Sequence, residues 1–411
     1  MPRNLGTTPH QGTTPRPLTR RRRVAIAVLA TLALLAAACS DDDSAETSDP
    51  PVTTAAPDTT ISEPDEPDPV SDLGGDATEA WPSPEWEVID PTVAGFDPAV
   101  FDELADRAER GGAACLVLVT DGRIVGEWYW HDTGPDDPAE TWSVTKSITA
   151  FLVGIAEDQG HLRIDQPASD FIDEWVGTPS EGVTIRQLLA NDSGRFHSVD
   201  SDYVQLASVE EDKTAYAIGL DQQHEPGTHW DYNNAAIQVL DAVLERATGV
   251  DVGTFAAEHL FGPIGMEATE LTIDPAGNTL TFMGAQMTCR DMARFGLLTL
   301  REGEWDGTQV VPAEFVAEAT RPSTELNPTY GLLWWLHGTD AGQIGTAPGQ
   351  DEVATGDPVA HVALGLGGQF VAVVPNQDLV LTRLNRSALA TEPIGLPQLL
   401  PLLTELDGPG D

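Results

Sequence analysis

Hydrophobic residues recur along this chain at two different spacings, and this change of spacing predicts a mixture of strands and helices. Two apolar runs between residues 113 and 130 flank Asp121-Gly122, a dipeptide typical of a β-hairpin turn. Asp97-Pro98 opens a segment with helical spacing that ends near Arg110, before a glycine pair. Later apolar runs predict further strands of the same sheet at Tyr330–Trp335, Val362–Gly365, Gln369–Val374 and Leu379–Leu384.

Another helix, predicted to begin at Ser143, carries the first candidate chemistry. Apolar side chains from Ile148 to Ile155 keep helical spacing, so Lys146 lies about one turn beyond Ser143 on the same face. A serine hydroxyl becomes an effective nucleophile when a base takes its proton, and an amine within hydrogen-bond reach can take part in that step. The alternative interpretation is that Ser143 only caps the helix.

A second pattern, Y-x-N, lies downstream at Tyr232 and Asn234. The alternative is that Tyr232 is a core tyrosine and that Asn234 caps the helix predicted over residues 235–248. The chain has few lysines and five tyrosines, so each pattern is expected by chance in about one chain in ten. Both patterns in this order are expected in roughly one chain in a hundred.

Acidic residues dominate the composition. The formal net charge of −45 and the pI near 4.2 argue against nucleic-acid binding, because a phosphate backbone would be repelled. Much of this charge lies in residues 40–90, which are rich in Asp, Glu, Pro, Thr and Ser and contain neither Lys nor Arg. Such a segment cannot bury enough apolar surface to fold. We therefore expect a disordered acidic linker over residues 39–90.

The N-terminus has the pattern of an export signal. Arg20–Arg23 precede an apolar run, Val24–Ala38, which is shorter than a membrane-spanning helix usually needs and ends in small residues before Cys39. We expect residues 1–38 to be a signal peptide. It resembles a bacterial lipoprotein signal, which implies that Cys39 is lipidated and anchors the protein to a membrane. The alternative is an uncleaved anchor, and both place the remaining chain outside the cytoplasm.

The cysteines and histidines give no sign of a metal site. Cys115 lies in an apolar, strand-like run and Cys289 precedes a helix, so we expect two buried free thiols that act as small hydrophobic side chains. A disulfide between them is the alternative if the protein is exported. The nine histidines are scattered, without the spacing of a zinc site, so we expect neither a metal nor another cofactor.

The two motifs and a glycine-rich stretch ending in Gln369 resemble the serine β-lactamase and penicillin-binding-protein superfamily. The resemblance covers about residues 91–385 and is greatest for the class C-like esterase branch, which includes the aminohexanoate-dimer hydrolases. The other stretches that carry it are Val183–Leu189 with Asp192-Ser193-Gly194, Pro226-Gly227-Thr228, Phe261–Met266, Arg290–Gly296 and Tyr330–Trp335.

The resemblance implies an α/β (α+β) fold of the β-lactamase/transpeptidase type, with an antiparallel five-stranded sheet flanked by helices. The hydrolase domain is expected over residues 91–406. A sheet subdomain is expected at 91–142 and 281–406, with an inserted helical subdomain at 143–280.

The resemblance also implies roles for the motif residues. Ser143 is expected to attack an acyl carbonyl and form an acyl-enzyme, with Lys146 and Tyr232 on the proton path. Which of these two is the general base stays open. Asn234 is expected to hydrogen-bond Lys146 and the substrate.

The glycine-rich stretch supplies the expected oxyanion hole, formed by the N–H groups of Ser143 and of Gln369, which follows Gly368. The alternative is that the glycines form a β-bulge with a purely structural meaning. One position departs from the superfamily: Leu366 stands where a lysine or histidine usually helps to bind a substrate carboxylate.

This departure favours an exported serine hydrolase that acts on an ester or amide bond of a small molecule or peptide. The alternatives are a D-alanyl-D-alanine carboxypeptidase or β-lactamase, which Leu366 disfavours, and a catalytically silent binding lipoprotein. We find no candidate for the separate deacylating glutamate of the class A enzymes. Trp334 and Trp335 are expected either to wall an acyl pocket or to pack in the core, with equal weight.

Overall fold

The computed structural model describes residues 80–82, 85–337 and 359–385, together with Leu399 and Leu402. The predicted signal peptide, the lipidation site Cys39, most of the linker and most of the chain after residue 385 lie outside the described residues. The described part contains no helix with both the length and the apolar character that crossing a bilayer requires.

A six-stranded antiparallel sheet forms the frame of the fold, which confirms the predicted fold class. The strands are β1 (Ala113–Thr120), β2 (Arg123–Tyr129), β3 (Ala139–Glu140), β4 (Gln286–Met287), β5 (Glu304–Trp305), β6 (Thr308–Gln309), β7 (Trp335–His337), β8 (Ala360–Gly365), β9 (Gln369–Val374) and β10 (Leu379–Asn385). The large sheet has the order β2-β1-β10-β9-β8-β7, while β3 pairs with β4 and β5 with β6. The short edge strand β7 makes six strands rather than the expected five.

Helices and the loops between them cover the sheet in the described part of the chain. They are α1 (Pro98–Arg110), α2 (Val144–Asp158), α3 (Ile185–Ala190), α4 (Lys213–Gly219), α5 (Asn234–Thr248), α6 (Val252–Ala256), α7 (Cys289–Leu300) and α8 (Ala313–Ala319), with π-helical segments at Asp200–Val209 and Ala257–Phe261. Side chains set several starts: Asp97 caps α1, and Thr184 and Gln187 form a capping box at α3.

The sheet is buried on both faces, which explains why its strands read as continuous apolar runs rather than alternating ones. On one face Val117 and Val371 pack with the large core that includes α2 and α7. On the other face Leu116 and Phe370 pack with Phe101 of α1. Every residue of α2 from Val144 to Ala156 is buried, so this helix lies inside the molecule and carries its polar side chains into the interior.

The predicted strand over residues 330–335 is mostly a turn. Leu333 has a left-handed backbone (φ 60°), and Gly331 N donates to Trp334 O at 2.8 Å, so strand pairing in the sheet begins only at Trp335. Gly331 also lies against helix α8, because a Cβ at this position would be 2.0 Å from Ala319 O. The apolar run therefore marked burial correctly but not backbone conformation.

The folded part begins before Pro91, the predicted boundary. Trp86 is buried, and the backbone of the next residues pairs with Ile124 of β2. Ile124 N donates to Glu87 O and Ile89 N donates to Ile124 O, each at 2.9 Å. Residues 85–90, which we assigned to the end of the linker, thus add a short segment to the edge of the sheet.

The expectation of two free thiols is wrong, because Cys115 and Cys289 form a disulfide across 174 residues of sequence. Cys115 lies in β1 and points to the same core as Val117, and Cys289 is the first residue of α7. The bond therefore joins β1, the strand next to the edge strand β2, to the helix that covers the sheet.

Replacing both cysteines by alanine, Cys115→Ala with Cys289→Ala, is expected to lower the free energy of unfolding by about 2–5 kcal/mol, because the open chain gains conformational entropy. Urea unfolding with and without a reducing agent measures this effect. The reductant should shift the midpoint of the wild type and leave that of the double variant in place. Alkylation counted by mass should find two more thiols after reduction, and an unchanged count would contradict the bond.

Candidate active site

The first turn of α2 holds Ser143 and Lys146 together. Ser143 directly precedes the helix, but its side chain makes no capping hydrogen bond, so the interpretation of Ser143 as only a cap fails. Lys146 Nζ instead donates to Ser143 Oγ at 2.8 Å. Trp142, the residue before Ser143, has a left-handed backbone (φ 53°), a strained conformation for a bulky side chain. This sharp bend leaves Ser143 partly exposed at the mouth of a buried helix.

The Lys146 side chain is only 1% exposed, and this burial controls its chemistry. Desolvation lowers the pKa of Lys146 to about 7, while the negative charge of Asp202 acts in the opposite direction. Its second hydrogen bond goes to Phe282 O at 2.6 Å. Near neutral pH the amine is therefore balanced between its charged and neutral forms, beside a serine hydroxyl.

A buried strap, residues 279–285, fixes the carbonyl that receives the lysine. Thr149 Oγ1 of α2 donates to Thr281 O at 2.8 Å, and Thr281 Oγ1 donates to Ile237 O of α5 at 3.0 Å. Gln238 completes the link, because its side chain accepts from Thr281 N and donates to Thr279 O. The strap therefore holds α2 and α5 in register with each other.

Tyr232 joins the pair from the residues that lead into α5. Its hydroxyl hydrogen-bonds Ser143, and its ring centroid lies 4.9 Å from Lys146 Nζ. Burial raises the pKa of Tyr232 well above its usual range, so the phenol keeps its proton at neutral pH. The ring stacks on Trp335, with the ring centroids 5.5 Å apart. Three predicted site residues from distant parts of the sequence thus meet at one point.

Asn234 does not make the predicted hydrogen bond to Lys146. It is the first residue of α5, and the helix cap is Asn233, whose side chain accepts from Ala236 N. The Asn234 backbone N–H donates to Asp202 Oδ2 at 2.6 Å, and its side chain hydrogen-bonds Tyr203. Its buried side-chain oxygen has no hydrogen-bond partner among the described residues, and Lys146 donates to Ser143 and Phe282 instead. A contact between Asn234 and substrate stays a prediction.

Asp202 is a site residue that sequence reasoning missed. The side chain is fully buried, lies in the π-helical segment Asp200–Val209 and interacts with Lys146. Burial raises the pKa of Asp202 to about 6, against the effects of His197, Asn234 and Lys146. No motif surrounds this aspartate in the sequence, so only the folded chain shows that a carboxylate accompanies the buried amine.

The glycine-rich stretch is a tight turn between β8 and β9 rather than a β-bulge. Strand pairing is regular up to Gly365 and Gln369, and both glycines of the turn have left-handed backbones. A Cβ at Gly365 would lie 2.1 Å from Thr141 O, so β8 ends directly against the residues before Ser143. Gln369 is buried, with its side chain bonded to Asn385 N. The oxyanion roles of Gly368 and Gln369 stay predictions.

The two adjacent tryptophans have different environments. Trp334 is fully buried between Phe151 and Phe295, with ring centroids 5.6 and 5.7 Å away, so it packs in the core. Trp335 is partly exposed and packs on Tyr232 and on Tyr330, whose ring centroid is 4.7 Å away. Of the two expected roles, Trp334 therefore takes the core role and Trp335 lies beside the candidate site.

Three histidines converge on one carboxylate next to Tyr232, contrary to the expectation that histidines are scattered. His224, His229 and Asp231 each place a ligand atom within 4.8 Å of the other two. The rings of His224 and His229 lie 4.3 Å apart between centroids. His197 Nδ1 lies 3.3 Å from Asp231 Oδ1 on the inner side. The sequence shows these residues only as an irregular H-x-x-x-x-H-x-D pattern.

Comparison with known proteins agrees with this fold. A 6-aminohexanoate-dimer hydrolase from Paenarthrobacter ureafaciens is 24% identical over 312 residues, which are 69% of this chain and 75% of that protein. The octameric penicillin-binding protein homologue from Pyrococcus abyssi matches with a TM-score of 0.58 and 16% identity, over 75% of this chain and 77% of that one. A family VIII carboxylesterase matches with a TM-score of 0.57 and 18% identity, over 75% of this chain and 96% of that one.

These solved structures share the fold that the sheet and helices already define. The family model described as Beta-lactamase matches residues 98–392, which include Ser143, Lys146, Tyr232 and Gln369. Because this match spans well over half of the chain, the protein belongs to the beta-lactamase family of hydrolases.

Proposed function

We propose that the protein is a serine hydrolase that cleaves an ester or amide bond of a small, largely uncharged substrate through an acyl-enzyme. The observation that carries this proposal is the contact between Lys146 Nζ and Ser143 Oγ, 2.8 Å long and made by a fully buried amine. A buried neutral amine is a base of suitable strength at neutral pH. Helix α2 does not need a buried amine beside Ser143 for its own stability, so the contact favours a chemical role.

In the first half of the reaction, Ser143 Oγ attacks the acyl carbonyl and its proton passes to the neutral Lys146 amine. Tyr232 is protonated and bonded to Ser143, so it acts as the acid that passes a proton to the leaving alcohol or amine. Lys146 returns its proton through Tyr232 as the leaving group departs. In the second half, water attacks the ester carbonyl, gives its proton to the same relay, and the serine hydroxyl is restored.

Negative charge develops on the acyl oxygen in both halves. We propose that the N–H groups of Ser143 and Gln369 receive it, because Gly365, which pairs with Gln369, lies against the segment that leads into Ser143. Each such donor contributes on the order of 3 kcal/mol to catalysis. Gly368 allows the backbone before Gln369 to take its left-handed turn (φ 80°) without a side chain in the way.

The substrate preference rests on what borders the serine. Leu366 supplies no cation to a substrate carboxylate, and the partly exposed rings of Tyr232 and Trp335 present aromatic surface instead. Relatives with this family's fold are named as aminohexanoate-dimer hydrolase, D-aminopeptidase and carboxylesterase, which are amide and ester hydrolases. An acyl group with apolar or aromatic character fits this surface better than a penicillin carboxylate does.

Ser143→Ala is expected to reduce hydrolysis of p-nitrophenyl butyrate by roughly 10³-fold or more, because the acyl-enzyme can no longer form. Initial rates with equal amounts of folded protein measure this loss. Ser147→Ala is the matched control, because Ser147 lies on the same helix but its hydroxyl only donates to Leu333 O at 2.7 Å. Its rate should stay within a few-fold of the wild type.

Intact mass after mixing with an activated ester should show one acyl group on Ser143, while a fluorescent penicillin should label the protein weakly. Strong penicillin labelling of Ser143 would favour the carboxypeptidase or β-lactamase alternative. Absence of turnover with every ester and amide, without any adduct, would favour the silent binding protein and refute the hydrolase.

The pH dependence of kcat/KM is expected to show an acidic limb near pH 7, because only the neutral Lys146 amine can take the serine proton. Asp202→Asn removes a charge that favours the ammonium form, which lowers the lysine pKa and moves this limb to lower pH. Asp200→Asn is the matched control, because Asp200 is exposed and lies two residues before Asp202. This variant should leave the acidic limb at its wild-type pH. A limb that stays fixed in Asp202→Asn would contradict the assignment of Lys146 as the base.

We also propose that the protein is exported and held at the membrane by a lipid on Cys39, which the arginine cluster and the apolar run before it support. Cys39→Ser is expected to move the protein from the detergent phase to the aqueous phase in a Triton X-114 partition of cells. The mass of the wild-type N-terminal peptide should include acyl chains. Equal partitioning of the two proteins would contradict lipidation.

A further inference from the structure

The histidine cluster beside Tyr232 has the donor set and the spacing of a transition-metal site. His229 Nε2 and Asp231 Oδ2 lie 3.5 Å apart, close to the separation of about 3.3 Å that two ligands of a tetrahedral Zn²⁺ take when each bond is near 2.0–2.1 Å. His224 provides the third donor within 4.8 Å of both. Two imidazoles and one carboxylate are the ligands that open zinc sites use.

The loop that carries these ligands is fixed by its backbone. His224 N donates to Gly194 O at 2.9 Å, and a Cβ on Gly194 would lie 2.4 Å from His224 O, so only glycine allows this close approach. Gln222 Nε2 also donates to His224 O at 2.7 Å. At the other end of the loop, Asp231 N donates to Asn191 O at 3.0 Å. Both ends are held, so bringing the ligands together needs only side-chain rotation.

The carboxylate of the cluster also has an outer partner. Asp231 Oδ2 faces His229, and Asp231 Oδ1 lies 3.3 Å from His197 Nδ1. Asp231 Oδ2 is therefore available to an ion, while His197 orients the carboxylate through Oδ1. Groups that hold the ligands of metal sites in place act in the same way. All three ligands are at least partly exposed, so an ion can enter from solvent.

We propose that His224, His229 and Asp231 bind one Zn²⁺ ion per chain, with the fourth position open to solvent. Exposed surface charge alone does not account for the cluster, because two imidazoles converge on the same carboxylate and each presents a nitrogen to it. Asp231 directly precedes Tyr232 in sequence. An ion bound here fixes the backbone next to the tyrosine that contacts Ser143. The zinc proposal does not rest on the proposed hydrolytic chemistry, and its test needs no substrate.

The test uses the full chain without a histidine tag, stripped of metal with a chelator and titrated with ZnCl2 by calorimetry. Excess Mg²⁺ in the buffer suppresses nonspecific binding to the acidic surface. We expect one Zn²⁺ per chain, and His229→Gln is expected to weaken binding by roughly tenfold or more. Half of the His229 side-chain surface is exposed, so the variant removes little buried contact. Circular dichroism and the melting temperature check that it folds.

His161→Gln is the matched control, since His161 is exposed and lies outside the cluster. Its zinc affinity should equal that of the wild type, while His197→Gln should weaken binding by about tenfold through the outer partner. Co²⁺ gives a second readout: visible absorption bands of a four-coordinate ion should appear in the wild type and vanish in His224→Gln. Failure to take up one Zn²⁺ with Mg²⁺ present, or uptake that His229→Gln leaves unchanged, overturns the proposal.

Discussion

The burial of one lysine amine is the constraint on which the site depends. An ammonium group removed from water is costly, and the structure lowers that cost by shifting Lys146 toward its neutral form. The two acceptors it keeps, Ser143 Oγ and Phe282 O, satisfy its hydrogen bonds but carry no formal charge. The negative charge of Asp202 raises the pKa of Lys146 and partly offsets the effect of burial. The resulting pKa of about 7 leaves the amine between its charged and neutral forms.

Water is excluded from the Lys146 amine by packing between parts of the chain that are distant in sequence. Helix α2 is buried from Val144 to Ala156, with the sheet on one side and α5 on another. The strap at residues 279–285 links α2 and α5 through the hydrogen bonds of Thr281 and Gln238. The Cys115–Cys289 bond ties the sheet to α7, the helix that covers the same core. If this core packed less tightly, water would reach Lys146 and its pKa would rise toward the ordinary value, so the amine would stay charged at neutral pH.

The sequence could predict those parts of the site that local geometry defines. Ser143 and Lys146 are one helical turn apart, so their contact follows from helix spacing alone. Tyr232 could be placed only through a resemblance to known proteins, since nothing local brings it to the serine. Asp202 and the Cys115–Cys289 pair depend on contacts between segments far apart in the chain, and sequence spacing carries no information about them. The fold class came from the resemblance to known proteins, whereas apolar periodicity located individual strands and helices because it reports burial.

A histidine that lies between two carboxylates connects the buried Lys146 with the surface cluster. His197 Nδ1 lies 3.3 Å from Asp231 Oδ1, and His197 Nε2 lies 3.9 Å from Asp202 Oδ2. Asp202 in turn holds the first N–H of α5 and acts on the charge of Lys146. Because a carboxylate in a buried site is screened little by solvent, a shift of this imidazole changes the field at the amine. The loop before Tyr232 therefore influences the site through its charges as well as through its backbone.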